Sequence, residues 1–268
     1  MNIYALLPRL FAIAHYLAVT TYASDVILFP SNGAKDVNID THLVLSFQSS
    51  PEIGSSGNVT VKDVESGKVM DTLDLSIPSS PSPYGNGSTK ADYTDKTTYQ
   101  TNIVGGMDFY FFPIIIRENV ATIYLHNNRL EYNRTYSVTI DTGVLQFDDN
   151  AFDGIASGSW TFSTKTEGPA RNASEVTVSA DGSADFNTLQ GALDWAPSNS
   201  PTHTTIHIRD GNYEELVYFQ YKSNIIIRGE SRNKTLIGYP NNSAFNPPNR
   251  QGPSRRPAFS SKASQTYN

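Results

Sequence analysis

The chain has 268 residues, a formal net charge of −6, 17% charged residues and no cysteine. That length is more than one small domain and fewer than three. The acidic balance excludes sequence-independent nucleic-acid binding, which needs a basic footprint, and the absence of cysteine excludes a disulfide framework, a zinc–thiolate site and a thiol nucleophile. With 38% apolar residues, 15 Tyr and 13 Phe, the composition suits an extracellular all-β protein and not a coiled coil, collagen or a disordered chain.

In chain order, the apolar run Leu10–Val19 follows a single basic residue, Arg9, and precedes Thr21 and Ala23. Small residues at those two positions suit signal-peptidase cleavage, so residues 1–23 are expected to be a signal peptide cut after Ala23. The run is too short to span a bilayer, and no later segment reaches ~18 uninterrupted apolar residues, so no membrane span is expected. Six Asn-x-Ser/Thr sequons, at Asn58, Asn86, Asn133, Asn172, Asn233 and Asn241, are glycosylation candidates and agree with a secreted, extracellular chain.

Residues 24–166 alternate at period two. Leu43, Leu45 and Phe47 point one way and His42, Val44 and Ser46 the other. The same pattern recurs in Asn58–Val64, Val120–Leu125, Tyr136–Ile140 and Gly158–Thr164. Turn residues separate these runs, as at Ser31-Asn32-Gly33, Glu65-Ser66-Gly67-Lys68 and His126-Asn127-Asn128. Short strands without a long helix predict a β-sandwich. Ser79–Thr98 reads as a long surface loop, and the apolar run Phe109–Ile116 as an inner strand pair broken at Pro113, which cannot donate to a ladder.

Glu167-Gly168-Pro169 reads as a linker. In residues 167–240, Val176–Ser179 alternates as a strand. Asn187 is the expected N-cap of a helix running to Trp195-Ala196 and ended by Pro197. Leu189, Ala192, Leu193 and Ala196 share one face of that helix. Strands follow at Thr204–Arg209, Asn224–Arg228 and Asn233–Gly238, the first two closed by turns at Asp210-Gly211-Asn212 and Gly229-Glu230-Ser231. A helix followed by evenly spaced short strands is how a stacked β-coil begins. Residues 241–268 hold three Arg, one Lys, four Pro and no acid, and are expected to be a flexible basic tail.

Two stretches carry resemblances. Phe29-Pro30-Ser31-Asn32-Gly33-Ala34-Lys35-Asp36-Val37, Tyr136-Ser137-Val138-Thr139-Ile140 and the closing Trp160-Thr161-Phe162-Ser163-Thr164 resemble a bacterial-type immunoglobulin-like domain, which implies a spacer or wall-proximal module. The string from Val176 to Pro197, Ile206–Glu215 and Ile225–Gly238 resembles the N-terminal part of the pectin methylesterase (pectinesterase) family. That resemblance implies the fold class expected here: all-β, with an immunoglobulin-like sandwich followed by the truncated start of a right-handed parallel β-helix bearing an N-terminal cap helix. It further implies a hydrolase of pectin methyl esters, active in pectin catabolism and cell-wall modification. Pectin or another acidic wall polysaccharide is the implied partner, with no cofactor and a monomeric state expected.

Ester hydrolysis needs an attacking group, a proton carrier and donors aimed at the developing oxyanion. The resemblance assigns these to two aspartates, a glutamine and an arginine in motifs like Gln-Asp-Thr, Asp-x-Ile-x-Gly and Gly-Arg-x-Trp, and none of those strings occurs among the 268 residues. Asp181, Asp185, Asp194 and Asp210 lie upstream of the family's pair, so no catalytic residue is assigned and an incomplete fragment is expected. There is no Gly-x-Ser-x-Gly elbow. His203 and His207, four apart on a strand, are ~13 Å apart and cannot share an ion. Asp181–Asp185 lacks the glycine and terminal glutamate of a calcium loop, and Glu214 and Glu215 face opposite ways on a strand. No metal site is expected. The alternatives are a non-catalytic wall-polysaccharide-binding or spacer protein and a polysaccharide lyase, for which the calcium and basic groups are not found. A sandwich that folds by itself and a marginal second region are also expected, because a coil stopped early leaves unpaired strand edges.

Overall fold

The computed structural model describes residues 26–79, 95–148, 150–242, 245–246 and 257–262. The expected signal peptide with its Ala23 cleavage site, most of the Ser79–Thr98 loop and Asn86 lie outside these residues.

The first unit holds strands β1 (Ile27–Phe29), β2 (Ala34–Val37), β3 (Leu43–Ser46), β4 (Glu52–Ile53), β5 (Asn58–Asp63), β6 (Val69–Asp74) and β7 (Thr101–Val104). It continues through β8 (Met107–Tyr110), β9 (Ile114–Arg117), β10 (Val120–Ile123), β11 (Thr135–Ile140), β12 (Leu145–Phe147), β13 (Asn150–Ala151) and β14 (Thr161–Thr164). One antiparallel sheet runs β1-β3-β10-β9, and a second runs β2-β14-β11-β5-β6, antiparallel except for the parallel β14–β2 pair. Their apolar faces meet. Leu43, Leu45, Ala121 and Ile123 from the first sheet and Val59, Val61, Val138 and Phe162 from the second form one buried cluster. Alternation at period two puts those side chains inward, as the sequence pattern predicts. Trp160 is fully buried, and its indole Nε1 donates to the Pro30 carbonyl at 2.8 Å. Pro113 does break the apolar run. Strand β8 turns away to form a hairpin with β7, while β9 pairs with β10.

The second unit holds β15 (Glu175–Val178), α1 (Leu189–Trp195), β16 (Thr204–Ile208), β17 (Gly211–Glu214), β18 (Val217–Gln220), β19 (Ile225–Gly229), β20 (Thr235–Gly238) and β21 (Phe259–Lys262). All its strand pairs are parallel: β15-β16-β19, β17-β20 and β18-β21. Val176, Ile206 and Ile227 stand in register, so like positions stack from one turn of chain to the next. Three parallel sheets, each crossed once per turn, make a coil whose interior holds Val176, Val178, Ile206, Ile208, Tyr213 and Val217. The apolar face of α1 packs on that interior through Leu189, Ala192, Leu193 and Ala196.

The structure differs from the sequence reading in three places. The N-cap of α1 is Thr188, whose side chain accepts from Gly191 N, and not Asn187. Asn187 is held elsewhere, accepting from Asn38 Nδ2 at 2.9 Å and donating to the Ala180 carbonyl at 3.2 Å. The expected turn at Asp210-Gly211-Asn212 opens directly into β17, because Tyr213 must face the interior opposite Ile237 of β20. The tail is not uniformly free either: Phe245 and Asn246 are buried, Asn246 exchanges hydrogen bonds with the Tyr110 backbone, and β21 pairs with β18.

The two units are joined by a common core, since Leu216 and Tyr218 of the coil belong to the sandwich cluster. The Phe109 and Tyr218 rings lie 5.7 Å apart, and Arg117 pairs with Glu214 across the junction. Gly105, at the tip of the β7–β8 hairpin, has φ +55°, and a Cβ there would come within 2.0 Å of the Tyr218 carbonyl oxygen. Only glycine satisfies both conditions.

Candidate functional site

A cleft of about 460 Å³ opens at this junction. Its sandwich wall comes from the Ile39–His42 segment that leads into β3 and from the chain that leaves β10 at Tyr124. Its coil wall comes from α1, Glu215 and Tyr239.

On the coil side the chemistry is set by the first turn of α1, whose backbone N–H groups have no partner inside the helix. Glu215 accepts from Leu189 N and Gln190 N, both at 2.9 Å. Asp40 reaches across from the sandwich and accepts from Asn187 N at 3.0 Å and from Thr188 N and Thr188 Oγ1 at 2.8 Å. Burial pushes the Glu215 carboxyl up to about 7, against the pull of the two N–H bonds, with the neighbouring Asp40 and Asp194 adding to the rise. Burial likewise raises Asp40, opposed by its bonds to Asn187 and Thr188. Asp194, raised by burial, is held by Gln190 Nε2 at 2.8 Å and Asn128 Nδ2 at 3.4 Å.

The sandwich wall presents rings. His42 lies 4.5 Å from Tyr124 between centroids, and Tyr124 lies 6.3 Å from Tyr239. Burial lowers His42 to about 4, leaving it neutral near pH 7, and raises the Tyr124 phenol, which therefore keeps its proton. Neither the His42 ring nitrogens nor the Tyr124 hydroxyl has a hydrogen-bond partner among the described residues. His126 is oriented by Asp71, which stands 2.7 Å from its Nδ1 and accepts its backbone N–H at 2.8 Å. Arg129 and Arg171 stand at the rim, Arg129 with Nε 4.0 Å from Asp71 and Arg171 donating to the Trp195 carbonyl.

This arrangement offers hydrogen bonds, ring faces and rim charge. Asp40 and Glu215 are committed to backbone N–H groups and Asp194 to side-chain amides, while His42 and Tyr124 present neutral donors and acceptors and Arg129 and Arg171 stand at the rim. Among the described residues no group of three His, Asp or Glu is placed to hold a metal ion.

The residues singled out from sequence are scattered. His203 is exposed, and His207 faces Glu175 at 3.7 Å. Asp181 accepts from Ser179 Oγ, Ser183 N and Ser183 Oγ, which lowers it to about 2 and makes it the hub of a turn before α1. Glu214 and Glu215 do part company, one to Arg117 and the other to α1. Asn133, Asn172 and Asn233 are exposed, whereas the Asn58 and Asn241 side chains donate to Asp141 and to the Pro257 carbonyl. Sequence reasoning missed Asp40, Tyr124 and His126, and placed His42 only as an outward strand residue. Nothing local marks Asp40, and His126-Asn127-Asn128 carries an ordinary turn signal.

Comparison with known proteins shows what the coil is similar to. Residues 175–249 match the pectinesterase family model. The match begins on the first residue of β15 and takes in α1 and the parallel strands through β20. Pectinesterase 5 of Arabidopsis thaliana is 38% identical over 74 residues, which is 27% of this chain and 12% of that protein. The same plant's pectinesterase/pectinesterase inhibitor 3 is 33% identical over 123 residues, 45% of this chain and 20% of that protein. A Daucus carota pectinesterase is 41% identical over 63 residues, 23% of this chain and 20% of that protein. The matches thus span a fifth or less of these pectinesterases' own lengths. The described residues, nearly all-β with one short helix, are consistent with the pectinesterase β-helix fold, and no helix among them is long and apolar enough to cross a membrane.

Proposed function

We propose that this is a secreted, monomeric pectinesterase-type protein that engages methyl-esterified polygalacturonate in the cell wall. In this reading the coil is the opening of a right-handed parallel β-helix, α1 is its cap, and the preceding sandwich is an immunoglobulin-like module. One observation carries it: the family match coincides with a parallel coil whose strand register repeats turn by turn. The chain's part in the family reaction is recognition of the polymer. Most carboxylates of residues 175–249 are taken up structurally: Asp185 accepts from Thr177 N, Asp210 from Ser231 and Thr235, Glu230 from Asp210 N, and Glu215 from α1. Glu175, the exposed neighbour of His207 at 3.7 Å, does not line the cleft. The second reading, a non-catalytic wall-polysaccharide-binding or spacer protein, is favoured by the junction cleft itself.

The test is incubation of the purified chain with highly methylated pectin, scoring retention on the immobilised polymer and methanol release. Retention without methanol is expected. Failure to be retained overturns the pectin reading, and methanol above the blank overturns the assignment of recognition alone. Secretion is expected to leave glycans on the exposed Asn133, Asn172 and Asn233 and not on the hydrogen-bonded Asn58 and Asn241, which peptide mass spectrometry of the secreted protein reads directly.

A further inference from the structure

We infer that the cleft between sandwich and coil is a binding site for a small aromatic carboxylate, its ring held inside and its carboxylate met at the rim by Arg129 and Arg171. The inference goes beyond the pectin reading, since this ligand is neither the polymer nor a sugar. At about 460 Å³ the cleft falls within the ~300–1,000 Å³ of small-ligand sites. Its lining is sorted by depth. Phe111, Tyr124 and Trp195, all buried, line it together with Tyr132 and Tyr239. Such rings receive a flat partner by stacking or by edge contacts. Arg129 and Arg171 line the same cleft and are exposed.

Both guanidiniums stand at one corner. Asn128 Nδ2 donates to Asp194 across the junction at 3.4 Å. Arg129 follows Asn128 in the chain, and Arg171 donates to the carbonyl of Trp195, the residue after Asp194. Lys222, which donates to the Ala196 carbonyl, adds a third cation at this end of α1. A guanidinium carries five N–H donors. Arg171 uses one, at 3.3 Å, and Arg129 makes no hydrogen bond among the described residues, its Nε lying 4.0 Å from Asp71. Either planar fork matches a carboxylate.

The acids do not cancel this charge. Asp40 and Glu215 sit at the opposite end of α1 and accept from its first N–H groups. Asp194 accepts from Gln190 and Asn128, and burial raises all three acids toward their neutral forms. Asp71 is shared with His126, whose backbone N–H it accepts at 2.8 Å. Three cations thus face two carboxyl groups at this corner, and a ligand carboxylate completes the balance. A uronic acid shares that carboxylate but would have to strip water from its hydroxyls against the buried rings.

Isothermal titration of the full chain at pH 7 with 2-naphthoate, its neutral isostere 2-naphthamide, and galacturonate tests this. 2-Naphthoate is expected to bind at least about tenfold more tightly than either of the others. Arg129→Gln and Arg171→Gln are each expected to weaken 2-naphthoate about fivefold to tenfold, without changing 2-naphthamide binding or the unfolding midpoint. Equal affinity for the acid and the amide, wild-type 2-naphthoate affinity in both variants, or an equal loss of both ligands overturns the role of the arginines. Galacturonate bound as tightly as 2-naphthoate overturns the choice of an aromatic ligand, and no binding of 2-naphthoate overturns the site. Retention on immobilised pectin is measured separately, so failure of either reading leaves the other standing.

Discussion

Asp40 and Glu215 stand on opposite units, yet between them they hold four consecutive residues, Asp40 taking Asn187 and Thr188 and Glu215 taking Leu189 and Gln190. Glu215 is buried and Asp40 half-buried, so each is stabilising only while its N–H partners stay in place. Removing Asp40 leaves two buried amide donors and the Thr188 hydroxyl without an acceptor. Asp40→Ala is therefore expected to cost about 3 kcal/mol of unfolding free energy, and Asp40→Asn, which keeps one acceptor oxygen, less than half of that; urea denaturation of the two variants checks the order.

Glu215 adds a pH dependence whose sign follows from its environment. Its folded-state value, raised from 4.5 to about 7, lies above the unfolded one. The protonated form is thus the one the fold favours, and Glu215's contribution is complete below about 4.5 and is lost as pH rises through 7. Wild-type stability is expected to fall over that window by an amount that Glu215→Gln abolishes, as thermal melts between pH 4 and pH 8 will report. An unchanged slope in the variant would assign the effect to Asp40 or Asp194, the acids packed beside it.

At the scale of elements, α1 is the informative case. Seven residues make too short a helix to persist alone, and its existence depends on packing against the coil and on carboxylates from two units. Its apolar face was readable, because Leu189, Ala192, Leu193 and Ala196 recur at helical spacing. Its cap was not: Asn187 outranks Thr188 as an N-cap by type, and that order is overturned by Asn38 and Asp40, nearly 150 positions away in sequence. The same holds for β17, where the turn signal of Gly211-Asn212 is overridden by the need to seat Tyr213 inside. Strands such as β3, β5 and β11, with one face buried, were legible; β18 and β21 were not, because their pairing is set by the coil.

The helix also yields a substitution whose sign runs against propensity. Replacing Gly with Ala in an exposed helix stabilises by about 1 kcal/mol. At Gly191 the added Cβ would come within 2.3 Å of Asp40 Oδ2, forcing the carboxylate away from Asn187 and Thr188. Gly191→Ala is accordingly expected to lower the melting temperature, and to do so much less in an Asp40→Ala background, where the obstructing atom is gone.

For the molecule as a whole, the linker-like Glu167-Gly168-Pro169 and the unpaired strand edges of a short coil suggested a self-sufficient sandwich followed by a marginal coil. The structure ties them together. Leu216 and Tyr218 complete the sandwich core, Asn246 satisfies the backbone of Tyr110, and Asp40 closes the helix of the coil. These contacts are long-range and cross-unit, so no local pattern could announce them. They make unfolding of either part expose buried apolar surface and orphaned donors in the other, which couples the two transitions. The chain contains two tryptophans, fully buried Trp160 in the sandwich and Trp195 in α1. Trp195→Phe leaves fluorescence reporting the sandwich alone, and Trp160→Phe leaves it reporting the coil. Matched to the same background by circular dichroism, the two probes are expected to give coincident denaturant midpoints. Phe109→Ala, which removes the ring that meets Tyr218 across the junction, is expected to separate them, with the coil melting first. Two well-separated midpoints in the parent with Phe109 intact would instead restore the independence that the linker implied.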